Sequence, residues 1–290
     1  MSSISDSSNT VAILICFQYT DDNKLNSIPY DICRMSYLSK KFDMKKCYVL
    51  SDFDKSIEPH VANDIHRLSD EKVQPKIQDI VDDVDINILQ TSDYVSLVTN
   101  IQNIYDSFDV IPEHLFLYYS GHGLPDVLIL PDGQHMNPRD LLDLFIGFKE
   151  ILVVVDCCYA SSFSLSFKLN ENKLTYIKQS IPCKSNVILI TGSSAEKKEK
   201  AISARYGSIF TTIFFEQMIL DDKVVTRNLS KICQYVIKKI YAERNGFYQS
   251  ASAYFSRCIP HVLWSWFSVH IPGKKYVEFD LETNCLRVKL

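Results

Sequence analysis

Apolar residues along this chain gather into short unbroken runs, and each run ends abruptly in small, polar or reactive residues. Residues 11–17 are such a run, from Val11 through Ile13 and Ile15 to Phe17. A strand with no polar interruption is covered on both faces, as in the middle of a parallel sheet. After a turn around Asp21, Asp22 and Asn23, the apolar residues Ile32, Met35, Tyr37 and Leu38 recur among charges, which predicts a helix over 31–42. Residues 47–50 supply a second strand and complete a β-α-β unit. The segment 52–93 is polar and acidic and reads as a loop with one helix. Val95, Val98, Ile101, Ile104 and Tyr105 then mark one face of a helix over 94–108.

Residues 114–119 form the next strand, and 128–130 with the turn Pro131, Asp132, Gly133 predict a short hairpin outside the main sheet. Asn137 before Pro138 starts a helix that buries Leu141, Leu142 and Phe145. Further strands are expected at 151–155 and 186–192. Between them, 159–186 carries Lys168, Lys173, Lys178 and Lys184 with no clear period and reads as an exposed loop. Helices are expected over 208–220 and 228–244, and the β-rich, aromatic last forty residues should add strands at the sheet edge. Alternating strands and helices predict an α/β fold, a mostly parallel central sheet with helices on both faces.

With 290 residues of which 46% are apolar, the chain can bury one large core. The expected organisation is a disordered tail over 1–10 and one domain over 11–290. The 31 basic and 35 acidic side chains are interleaved, leaving a net charge of -4 and no basic stripe, so nucleic acid is not an expected partner. No apolar run approaches the roughly 20 residues that span a bilayer, and the serine-rich start has no signal-peptide pattern. No membrane partner is expected, and the location expected is cytoplasmic or nuclear. Nine cysteines, an odd number without regular spacing, argue against a disulfide scaffold.

Two of the strands end in chemistry. The strand over 114–119 runs into Ser120, Gly121, His122 and Gly123, and the strand over 151–155 into Asp156, Cys157, Cys158, Tyr159 and Ala160. With one crossover helix between them, right-handed crossover rules place the two strands side by side. A thiol needs a base or a positive neighbour to form its thiolate, and His122 can serve Cys158 in that way. Gly121 and Gly123 allow close approach to a substrate carbonyl, and the amides of Gly123 and Cys158 are the natural oxyanion donors. Blander readings stand beside this one. Cysteines are often buried, a lone histidine after a strand is usually a surface or capping residue, and His122, Cys157 and Cys158 are potential zinc ligands. Adjacent cysteines hold one ion poorly, and the chain has no Cys-x-x-Cys pair, so no metal site is expected.

The order strand, Ser-Gly-His-Gly, helix, strand, Asp-x-Cys-x-Ala resembles the caspase-like cysteine peptidases, and metacaspases, paracaspases and their bacterial relatives most closely. The resemblance spans roughly 11–220. It implies a caspase-like fold with a large-subunit-like part over 11–160, an exposed loop over 161–185 and a small-subunit-like part over 186–290. It also implies that His122 and Cys158 form the catalytic dyad. The segment from Leu25 to Ile32 looks like a degraded form of the metacaspase L-x-G-C-x-N-D-V run, keeping its leucine and aspartate, and Gly192–Ala195 with Gly207–Thr211 looks like the small-subunit portion. By this resemblance Asp31 and Asp156 line the primary specificity pocket. A buried acid pair without a partner is costly and a cation relieves it, so cleavage after Arg or Lys is implied.

The chain departs from the metacaspase pattern after His122, where Leu124, Pro125 and Asp126 lead straight into an apolar strand. That compact turn is more like legumain and the GPI-anchor transamidase subunit, whose peptidase or acyl-transfer chemistry is the alternative. Asp132, Asp140 and Asp143 form no recognisable calcium loop, so no cofactor is expected. The basic residues in 161–184 and before Gly207 are sites where a basic-directed peptidase could process itself. Polypeptides are the expected partners, of a monomer or homodimer. A catalytically idle binding or decoy module is a further alternative.

Overall fold

β1 (Thr10–Cys16) is buried along its whole length because two cores share its side chains. Ala12, Leu14 and Cys16 join one core, with Ile32, Met35 and Leu38 of α1 (Ile28–Lys41). Val11, Ile13 and Ile15 join the other, with Leu97, Ile101 and Ile104 of α2 (Tyr94–Asp106). Alternation along a strand sends successive side chains to opposite faces, so an unbroken apolar run is what a sheet between two helical layers requires. The computed structural model describes residues 9–42, 44–53, 61, 64, 87–170, 173–178, 180, 181, 183–194, 198–204, 206–219, 227, 228, 249–256, 269, 270, 276–280 and 285–289.

Among the described residues the central sheet has eleven strands. Its parallel half comprises β1, β2 (Lys46–Ser51), β3 (Asn87–Gln90), β4 (His114–Ser120), β8 (Glu150–Asp156) and β11 (Asn186–Thr191), in the order β3-β2-β1-β4-β8-β11. Between β4 and β8 lie the short strands β5 (Gly123–Leu124), β6 (Val127–Ile129) and β7 (His135–Met136), which form a separate small sheet, and α3 (Pro138–Asp143). Antiparallel strands continue the main sheet beyond β11: β15 (Ser252–Phe255), β9 (Phe167–Asn170), β10 (Lys173–Tyr176), β18 (Cys285–Lys289) and β17 (Tyr276–Asp280). A two-stranded piece of β12 (Ser203–Ala204) and β13 (Gly207–Ser208) leads into α4 (Ile209–Ile219), whose Phe214 and Met218 pack in the α1 core. β14 (Arg227–Asn228) pairs with β16 (Val269–His270).

The α/β architecture with a mostly parallel sheet between helices is the one expected, and the differences are local. α1 begins three residues early, because Ser27 and Pro29 start it ahead of its charged stretch. The edge strand β3 was not expected. The stretch read as an exposed loop is corrected most. It holds a short 3-10 turn (Ala160–Phe163) and then the β9–β10 hairpin, which joins the main sheet. Lysines there alternate with Phe167, Leu169, Leu174 and Tyr176, a period of two that marks a strand with one polar face. The helix expected over 228–244 lies outside the described residues, as does most of 52–93.

Candidate active site

β4 and β8 are neighbours in parallel register, with Ser120 opposite Asp156. His122 and Cys158 therefore each stand two residues beyond the same rung, at the carboxyl rim of the sheet. Paired strands run about 4.8 Å apart, so the two loops are in contact, and Gly123 shows how closely. A Cβ placed on it would lie 2.5 Å from the Cys158 carbonyl oxygen and 3.0 Å from Cys157 Sγ, which only glycine avoids. The Ile129 amide donates to the His122 carbonyl at 3.2 Å, outside the Gly123–Leu128 rung. In an antiparallel ladder that pattern makes Gly123 and Leu128 a pair exchanging no hydrogen bonds. The hairpin thus leaves the Gly123 amide unused.

His122 is held through both its ring and its backbone. His122 Nε2 lies 2.7 Å from the Asn23 carbonyl oxygen; a carbonyl only accepts, so Nε2 carries the hydrogen, and Nδ1 is the basic nitrogen of the neutral ring. The Tyr19 ring packs on the imidazole, 4.4 Å between centroids. Its hydroxyl accepts from the His122 amide at 2.8 Å and donates to the Ile129 carbonyl at 2.7 Å. Tyr119 donates its hydroxyl to the His122 carbonyl at 3.1 Å. Asp52 fixes Tyr19 in turn, accepting from the Gln18 and Tyr19 amides, both at 2.6 Å.

Cys158 is partly exposed, whereas Cys157 is 1% exposed and turns inward. Opposite roles for adjacent residues follow from the strand's alternation. Burial pushes the Cys158 thiol above its ordinary pKa, and Asp156 adds to this; the Ala201 amide and the Lys200 ammonium pull it down. The thiol therefore needs a base to ionise at neutral pH. Behind it, Tyr159 adopts the left-handed conformation at φ 57, which a non-glycine residue holds only when its surroundings enforce it. Ser193 and Glu199 do so. Ser193 Oγ accepts from the Ala160 amide at 2.9 Å and donates to the Cys157 carbonyl at 2.7 Å. The Glu199 carbonyl accepts from the Tyr159 amide at 3.2 Å. Glu199's own carboxylate is tied by the Ser194 amide and by both the amide and the hydroxyl of Ser250.

Asp31 and Asp156 come together beneath the rim, bridged by Ser208. Its amide donates to Asp31 Oδ1 at 2.9 Å and its hydroxyl to Asp156 Oδ2 at 2.5 Å. Thr211 adds its amide and hydroxyl to Asp156 Oδ2 and accepts from the Tyr118 hydroxyl. Burial, then the neighbouring Asp156, pushes the Asp31 carboxyl up to about 7, against the pull of Arg34 and Ser208. Burial also raises Asp156, against hydrogen bonds from Ser208 and Thr211. The sequence implied an acid pair with no cation of its own, and the structure corrects this: Arg34, 4% exposed, stands 3.9 Å from Asp31. Even so, among the described residues no donor reaches the buried Asp31 Oδ2 or Asp156 Oδ1.

Beyond Tyr19, on the side of His122 away from Cys158, a groove of about 590 Å³ opens over the ends of β1, β2 and β3, lined by Asp52, Asp93, Asp132 and Lys24 among others. Among the described residues no three His, Cys, Asp or Glu side chains gather as metal ligands, and no helix is long and apolar enough to cross a membrane. Sequence reasoning gave no role to Tyr19, Asn23, Arg34 or Glu199 and met Ser193, Ser208 and Thr211 only inside the small-subunit-like segments. Arg34 left a readable signal in its i,i+3 spacing from Asp31.

Fold and rim together define an α/β protein that presents a thiol and an imidazole on adjacent strand ends over a buried acid pair. The chain matches no family model and no curated protein. Among solved structures it is similar to protein GSU0716 from Geobacter sulfurreducens, with a TM-score of 0.50 and 11% identity over 85% of this chain and 93% of that one. It also aligns with caspase-1 from Spodoptera frugiperda, with a TM-score of 0.49 and 12% identity over 87% of this chain and 89% of that one. At 11% identity the first likeness speaks to fold alone, and the second, below a TM-score of 0.5, carries no argument.

Proposed function

We propose that the chain is a caspase-like cysteine endopeptidase. The observation that carries this is the His122 ring, held by a backbone carbonyl at Nε2 so that Nδ1 is its basic nitrogen, at the end of the strand beside Cys158. In this reading Nδ1 takes the thiol proton, the sulfur attacks the substrate's peptide carbonyl, and the Gly123 and Cys158 amides hold the oxyanion. The imidazolium then protonates the leaving amine as the C–N bond breaks. Water hydrolyses the thioester, releasing the acid and restoring the thiol.

Specificity for Arg or Lys before the scissile bond is the finer part of the proposal. It is supported by Asp31 Oδ2 and Asp156 Oδ1, buried acceptors without donors that a cationic side chain would satisfy. Self-processing belongs to the same reading, with Lys198 and Lys200 exposed close to the nucleophile.

Purified protein is expected to cleave arginyl and lysyl reporter peptides with and without calcium, and Cys158→Ala to abolish that cleavage. A peptidyl chloromethylketone should label Cys158. Full activity in Cys158→Ala would reject the assignment, and a thiol that no peptidyl probe labels would favour the idle binding module.

A further inference from the structure

Arg34 has no place in the catalytic proposal, yet it is almost wholly buried beside the acid pair. Its guanidinium carries five donors in a fixed fork that could cap a carboxylate bidentately, and it does not do so. Nη1 donates instead to the Tyr206 carbonyl at 2.8 Å and stands off from Asp31 Oδ1 at 3.9 Å. The chain bends around it: Gly207 has φ +120, and a Cβ on Gly207 would overlap Arg34 Nη1 and lie 3.1 Å from Asp31 Oδ1. The next residue is Ser208, whose amide and hydroxyl bridge the two carboxylates. The guanidinium therefore fixes the segment that joins the acids, while two of their four oxygens have no donor among the described residues.

We infer that Arg34 is a positioning residue for recognition of a cationic side chain: it anchors Tyr206–Ser208 across Gly207 and leaves Asp31 Oδ2 and Asp156 Oδ1 to be filled by a ligand bearing one positive charge. With both carboxylates ionised, the three groups sum to one negative charge, which a single guanidinium or ammonium neutralises. A buried uncompensated charge is costly, so the acid pair discriminates against neutral side chains. The rival role, a resident plug that shuts the pocket, would put the guanidinium's donors on the orphaned oxygens, and they are elsewhere.

This inference rests on the peptidase reading for its substrate but is tested without catalysis. Agmatine, a small guanidinium-bearing cation, is titrated calorimetrically into Cys158→Ala and into the same chain carrying Arg34→Met, Arg34→Lys or Gly207→Ala. Binding is expected to Cys158→Ala, weakened at least tenfold by Arg34→Met or Gly207→Ala and largely kept in Arg34→Lys. With Cys158 intact, Arg34→Met should cut kcat/KM on an arginyl reporter at least tenfold, chiefly through KM, and leave iodoacetamide alkylation of Cys158 within twofold. Equal or tighter agmatine binding in Arg34→Met would overturn the inference in favour of a plug, and a parallel loss of alkylation would reduce Arg34 to general support. If Arg34→Met does not fold, Gly207→Ala decides alone, and undiminished binding there overturns the inference. Agmatine binding without any Cys158-dependent cleavage or labelling would sink the peptidase and keep the cation site. Labelling of Cys158 without agmatine binding would do the reverse.

Discussion

Asp31 offers a test of whether burial or pairing governs the acid site, because the two give opposite slopes of stability with pH. Its carboxyl is pushed from 3.8 up to about 7, with burial the largest cause and Arg34 only a partial offset. A group whose folded pKa is raised holds a proton that the unfolded chain has released. Stability is then greatest below the unfolded value and falls as pH rises through about 7. At roughly 1.4 kcal/mol per pH unit, the interval is worth about 4 kcal/mol, of which about 3 kcal/mol is lost between about pH 4.5 and pH 8. Asp31→Asn keeps the shape and removes the titration. Urea unfolding of both proteins should show the variant gaining on the parent by about that amount across the range, a midpoint shift on the order of 1 M. Carboxylates other than the coupled neighbour Asp156 titrate alike in both proteins, so the difference reports the acid pair. A difference that does not change with pH, or one that shrinks as pH rises, would mean that Arg34 holds Asp31 as a stabilised carboxylate, and the burial argument would be wrong.

Three further substitutions probe the rim and its support. Gly123→Ala forces a methyl onto the Cys158 carbonyl and Cys157 Sγ, neither of which can swing away; the expected result is loss of peptidyl-probe labelling of Cys158, with circular dichroism close to the parent's. Tyr19→Phe removes the hydroxyl shared by the His122 amide and the Ile129 carbonyl, at about 1–3 kcal/mol for a donor left unpaired, and should lower reporter cleavage through kcat; unchanged kcat would show that the ring alone positions His122. Asp93→Ala breaks a reciprocal cap in which Asp93 accepts from the Ser96 amide at 2.7 Å and Ser96 accepts from the Asp93 amide at 3.1 Å, and should cost about 1 kcal/mol in urea unfolding.

The elements legible in the sequence are those whose burial is one-dimensional. β1, β4, β8 and β11 read directly because a strand covered on both faces has no polar position to confuse the pattern. β3 is a four-residue edge strand with Asn87 and Gln90 at its ends, and β9 and β10 carry polar residues at alternate positions, Lys168 and Asn170, then Lys173 and Thr175, so each resembles a loop unless the period is counted. At the site, His122 and Cys158 were visible through side-chain chemistry at strand ends, and Asp31 and Asp156 entered only through the family resemblance. The groups that orient them were not visible. Asn23 acts through a carbonyl, Ser193 and Tyr19 through hydroxyls that meet their partners only after four strands have aligned, and Glu199 through an ordinary surface-like spelling among lysines that folding turns inward.

That division has a physical basis in how the rim is built. The imidazole is supported from the β1 side, by Asn23, Tyr19 and Asp52, while the thiol's turn is supported from the β11 side, by Ser193 and Glu199. Each reactive group thus leans on the strand beyond it, away from its partner. The two halves meet where Gly123 packs against the Cys158 carbonyl, with the Cys157 side chain alongside. Both halves hold a left-handed residue, Tyr159 at φ 57 behind the thiol and Tyr19 at φ 61 beside the imidazole, and four hydrogen bonds between residues 157–161 and Ser193 or Glu199 hold the thiol's turn. A substitution on the β1 side should therefore change how readily the thiol ionises without altering its position, and one at Ser193 should displace the sulfur while leaving the imidazole's hydrogen bond to Asn23 intact. Alkylation of Cys158 followed across pH separates the two: Tyr19→Phe is expected to shift the midpoint, and Ser193→Ala to lower the plateau rate at every pH. The same shift in both variants would show that the two halves move as one unit.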